Sequence, residues 1–130
     1  MHRALWVAQG LVAVVFAFAG GSKLLTPPET LAMLSPFPVS FILVIGVCEV
    51  LGALGLILPL ALKVRPEVTV LAAVGLTVIM IGATLSTLAM GLGVLALVPA
   101  GLGVVTALVA YGRRSLLTLP RRDALAAQPA

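Results

Sequence analysis

The chain has 130 residues, of which 62% belong to the set AVILMFWYC and 9% are charged, with 13 glycines besides and a mean hydropathy of +1.26. Soluble domains carry about 25% charged residues, and so small a globule leaves too much surface in water to hide this composition; a solvated, disordered chain is excluded for the same reason. The net charge of +4 lies in short basic segments between apolar runs without aromatic interleaving, which excludes a nucleic-acid surface and points to membrane topology and anionic lipid.

A bilayer core needs about 20 apolar helical residues per span, and four segments qualify. The first, about 4–25, is broken only by Gln9, Ser22 and Lys23. Ala17-Phe18-Ala19 before Gly20-Gly21 resembles a signal-peptide cleavage site, but the apolar stretch is long for a signal peptide. It is therefore expected to remain as a span. Residues 26–39 hold Pro27, Pro28, Pro36 and Pro38 and cannot form one helix. Thr26 followed by Pro27 reads as a helix N-cap and first position, with a short interfacial helix over 29–34. The second span, about 40–62, carries Glu49. A charged turn, Lys63 to Glu67, leads to the third, about 68–90, which has no charge. Only Gly91-Leu92-Gly93 separate it from the fourth, about 94–111, which has Pro99 near its start.

These runs are too long and continuous for barrel strands. The expected fold is all-α, a polytopic four-transmembrane-helix bundle forming one domain over 1–112. The remainder, 113–130, reads as a basic, disordered cytoplasmic tail. Four spans put both termini and the second loop on one side. That side holds Arg3, Lys63, Arg65, Arg113, Arg114, Arg121 and Arg122, seven of the eight basic residues. The positive-inside rule then places both termini in the cytoplasm, with a bacterial inner membrane as the expected location and Arg113, Arg114, Arg121 and Arg122 as its basic anchor. Tyr111 marks the inner interface of the last span, and Trp6 does the same for the first.

Glu49 is the most informative residue. It lies about 13 Å below the outer end of its helix, where a carboxylate costs a few kcal/mol. It must face protein or water, be paired, or be protonated. Gly46, Gly52 and Ala53 share its face and would admit another helix closely. Lys23, in the outer half of the first span, is its candidate partner. With the helix ends aligned, the two backbones differ in depth by about 10 Å, which two long side chains or a water nearly bridge. The pair reads either as a structural tie or as a ligand or proton site. Gln9 reads as an interhelical hydrogen-bonding group, and Thr84 and Thr87 as secondary polar lining. Cys48 reads as an inert packing thiol. One cysteine and one histidine, His2, leave no disulfide and no His/Cys metal site. No catalytic constellation and no cofactor motif emerges.

The run Trp6…Gln9…Phe16…Gly20-Gly21-Ser22-Lys23-Leu24, with Gly46-Val47-Cys48-Glu49-Val50-Leu51-Gly52 in the second span, resembles the DoxX-like family of small four-helix membrane proteins. The resemblance covers about residues 6–111 and gives Lys23 and Glu49 the roles of the family's polar pair. It implies association with redox membrane complexes, a quinone in some relatives and receptor-assembly roles in distant eukaryotic ones. Many relatives carry a histidine four residues after an alanine in the third helix; here Ala83 is followed at that spacing by Thr87, which removes a side chain suited to proton transfer near neutral pH. The leading expectation is a non-enzymatic accessory or partner-binding subunit, as a homo-oligomer or with another membrane protein. A quinone-linked redox subunit and a small proton-coupled exporter or channel are the alternatives.

Overall fold

The computed structural model describes residues 2–65 and 67–114. Among these there are five helices and no strand: α1 (His2–Leu25), α2 (Pro28–Leu34), α3 (Val39–Ala61), α4 (Glu67–Ala89) and α5 (Leu97–Gly112). The helices α1, α3 and α4 are each long and apolar enough to cross a membrane, and α5, at 16 residues, spans about 24 Å. Packing runs from α1 to α3, α3 to α4, α4 to α5, and more thinly from α5 back to α1. One end of this ring carries α2. The other carries the start of α1, the end of α5 and the 62–65 turn.

Phe16 of α1, Ala53 and Leu56 of α3, Ala73, Leu76 and Met80 of α4 and Val109 of α5 form the core. Val14, Phe18, Leu25, Val94 and many other large apolar side chains point outward. In water such a surface would aggregate; in lipid it costs nothing, and helix association then depends on close packing. Small residues on α3 supply it. A Cβ on Gly52 would fall 2.7 Å from Leu76, and one on Gly55 would fall 2.8 Å from the Ala72 Cβ.

The helix ends depart from the sequence reading in two places. Thr26 is not the N-cap of the short helix: its backbone N–H and its hydroxyl both donate to the Ser22 carbonyl, closing α1. Pro27 takes the cap position and Pro28 the first turn, where the missing N–H has no helical acceptor in any case. The fourth helix starts at Leu97 rather than 94. Gly91, at φ 77°, ends α4 in a Schellman turn, with Gly91 N–H donating to Leu88 O and Leu92 N–H to Thr87 O. Tight turns over 93–98 follow, because Pro99 cannot donate to the Leu95 carbonyl and its ring opposes a regular helix upstream. A second Schellman turn ends α3, with Lys63 N–H on Leu60 O and Val64 N–H on Pro59 O. There the left-handed position, φ 55°, is filled by Lys63.

Candidate functional site

The closest approach of two backbones beside the charged residues lies between α1 and α3. A Cβ on Gly20 would sit 2.6 Å from the Gly46 carbonyl oxygen and 3.1 Å from the Glu49 Cβ; one on Gly46 would sit 3.1 Å from the Lys23 Cβ. Two glycines facing each other thus seat Lys23 and Glu49 on opposite sides of one contact. Lys23 Nζ donates to Glu49 Oε2 at 2.8 Å. Lys23 lies level with Gly46, one turn from Glu49, so the backbones differ in depth by about 4.5 Å, less than half the offset obtained from aligned helix ends. The cause is an overhang. The helix α3 begins seven residues before Gly46, whereas α1 ends two residues beyond Lys23, and the proline-rich connection through α2 takes up the difference.

The pair stands at the edge of a cavity of about 810 Å³ near the α2 end. The cavity is walled by the ends of α1 and α4, the start of α3, and α2 with the loop after it. Its surface is mostly apolar, from Leu31, Phe37, Ile42, Ile45, Val78 and Ile79 among others, and no residue of α5 reaches it. Among the described residues, Lys23 and Glu49 are the only charged ones that line it. Their burial differs: the Lys23 side chain is 31% exposed and that of Glu49 4%. The cavity is therefore shown an ammonium whose counter-ion is sunk behind it. Ser86 and Thr87 face it from α4, and Ser22 and Thr26 from α1 and the residue after it. The Thr87 and Thr26 hydroxyls donate to their own chain, at Ala83 O and Ser22 O.

The other sequence candidates lie elsewhere. Thr84 donates to Met80 O and lines a separate apolar groove between α4 and α5. Gln9 is fully buried at the terminal end, about 21 Å along α1 from Lys23. Its Nε2 donates to the Leu56 carbonyl at 2.7 Å, and its Oε1 accepts from Arg113 Nε at 2.9 Å. Leu56 O lies in the stretch of α3 disturbed by Pro59, which has no N–H for the Gly55 carbonyl. Gln9 thus reinforces α3 where its own ladder is weakest and ties α1, α3 and α5 together. Arg113 is 7% exposed, with its guanidinium 5.7 Å from the Trp6 ring centroid. Burial lowers its pKa from the ordinary value, but a guanidinium starts so high that it stays charged. Arg114 is exposed, against the Tyr111 ring. Arg121 and Arg122, and the tail from 115 onward, lie outside the described residues. Cys48 points outward, away from the pair.

Sequence reasoning missed two features. The contact of Arg113 with Gln9 joins residues 104 apart, and an arginine after an apolar helix carries the same pattern whether it reaches outward or folds back. The cavity was also hidden, because it depends on where α2 lies. No group of three or more His, Cys, Asp and Glu residues able to hold a metal occurs among the described residues. No curated protein and no solved structure matches the chain. The DoxX-like family matches over residues 7–109, a range that contains Gln9, Lys23, Glu49 and the whole cavity wall; this integral membrane protein belongs to the DoxX-like family.

Proposed function

We propose that this membrane protein is a non-enzymatic accessory subunit that holds an amphiphilic molecule beside the Lys23–Glu49 pair and presents it to, or shields it for, a membrane partner. The observation that carries this reading is the ion pair set into an otherwise apolar cavity of about 810 Å³, within the 300–1,000 Å³ usual for ligand sites. A tie needed only for helix register would be served by a pair packed on all sides. The described lining holds no nucleophile–base set and no histidine, which supports binding over catalysis.

A quinone, the group implied by the resemblance, fits the site in its polarity: Lys23 would donate to a carbonyl oxygen and the apolar wall would take the tail. When bound it would supply electron transfer. The chain's own contribution would be to hold and orient it. The protein is further proposed to lie in a bacterial inner membrane with both termini cytoplasmic. This is supported by the gathering of Arg3, Lys63, Arg65, Arg113 and Arg114 at the terminal end, while Lys23 is the one described basic residue at the other.

The test is native mass spectrometry of the full-length protein released gently from its own membranes. A bound amphiphile or a stable complex with a second membrane protein is the expected result. The bare chain or a simple homo-oligomer, carrying only bulk phospholipid, overturns the proposal.

A further inference from the structure

We infer that the cavity selects an amphiphile with an uncharged head that accepts hydrogen bonds, such as an ester or amide carbonyl, and rejects both anionic and cationic heads. This rests on the binding role proposed above and specifies the class of ligand. The argument begins with charge. Among the described residues, Lys23 and Glu49 are the only charged ones lining the cavity, and their polar atoms are 2.8 Å apart. Whichever of the two holds the proton, the pair sums to zero. An anionic head drawn to the Lys23 ammonium would come close to the Glu49 carboxylate directly behind it. A cationic head would meet Lys23 first, because Lys23 is 31% exposed and Glu49 4%. Either charge must also leave water for a mostly apolar cavity, which is costly unless a full counter-charge waits there. None does, since each charge of the pair is already neutralised by the other.

Hydrogen bonding leads to the same class. A lysine ammonium has three N–H donors, and Glu49 Oε2 accepts one of them. What the cavity offers from Lys23 is thus donor capacity without net charge. Ser86 lines the same space from α4 and carries a further hydroxyl donor. A neutral carbonyl can accept from these groups without disturbing the ion pair. The wall formed by Leu31, Ile42, Ile45 and Val78 then takes an aliphatic chain.

The test uses three probes that share one oleoyl chain and carbonyl and differ in fixed charge: monooleoylglycerol, N-oleoyltaurine and oleoylcholine. Binding to the full-length protein in nanodiscs is measured by competition. Monooleoylglycerol is expected to bind at least about 10-fold more tightly than either charged probe, a difference of about 1.4 kcal/mol. Glu49→Gln leaves the ammonium unmatched and should move the preference to N-oleoyltaurine; Lys23→Gln leaves the carboxylate and should move it to oleoylcholine. A wild-type protein that prefers either charged probe, or folded variants that keep the wild-type order, would overturn the inference. The wild-type ranking decides the matter if a variant fails to fold. If none of the three probes binds the wild type, the binding role itself falls, and the head-group inference with it.

Discussion

Gly20→Ala and Gly21→Ala add the same methyl group to neighbouring residues of α1, and they are expected to act with opposite sign. At Gly20 the new carbon would lie 2.6 Å from the Gly46 carbonyl oxygen and 2.8 Å from a Val50 methyl. The oxygen belongs to backbone and cannot rotate away. To reach an ordinary contact of 3.4 Å, α1 and α3 must separate by about 0.8 Å. Overpacking of this kind costs about 1–3 kcal/mol, against about 0.5–1 kcal/mol gained by replacing a helical glycine with alanine. The net expectation, from the middle of the two ranges, is a loss of about 1 kcal/mol. At Gly21 nothing lies within 4 Å of the new carbon, so only the helical gain remains and the variant should be neutral or slightly stabilised. Titration of the purified protein from mild detergent into SDS, followed by far-ultraviolet circular dichroism, reads both midpoints. Equal shifts for the two variants, or an unchanged midpoint for Gly20→Ala, would refute the reasoning that this close approach holds Lys23 against Glu49.

Three further outcomes can be read in the same titration. Lys23→Met strands the buried Glu49 carboxylate and should cost about 3 kcal/mol, while Lys23→Met combined with Glu49→Leu should recover most of that loss, giving a coupling energy well above that of a surface pair. Gln9→Leu removes the donor to Leu56 O and the acceptor for Arg113 together, so a loss of about 2 kcal/mol is expected; Arg114→Ala, on an exposed side chain, should change stability by less than about 0.5 kcal/mol. Lys63→Gly relieves a left-handed residue at φ 55° and should raise stability by about 0.5–1 kcal/mol. A destabilised Lys63→Gly would mean that the lysine side chain contributes more than its backbone conformation costs.

Much of the fold was legible because lipid removes alternatives. Backbone amides without water must bond within their own helix, so the apolar runs around Phe16, Glu49 and Leu76 had to be helices, and short connections put consecutive ones side by side. Helix ends were less legible, because several residues there can close the same turn. Thr26 can cap the next helix or finish its own, and the choice depends on how Pro27 and Pro28 are placed. Pro99 sets the start of α5 three residues later than hydropathy does, since hydropathy does not register a missing N–H. The close packing of Gly20, Gly46, Gly52 and Gly55 could be expected from residue size, but which helix each one faces could not.

The sequence by itself determined that the chain lives in lipid, that it is helical, and that a carboxylate inside a span needs a partner. All three follow from the cost of unsatisfied polar groups in hydrocarbon, which depends on composition and order alone. Only the tertiary structure decided how deep Lys23 sits against Glu49, that the pair borders a cavity, and that Gln9 and Arg113 meet at the other end. Those outcomes depend on the offset between α1 and α3, and that offset is set by how α2 and its prolines fold between them and by two glycines meeting 26 residues apart. A one-dimensional pattern records which residues are polar; it does not record the level at which two helices come to rest.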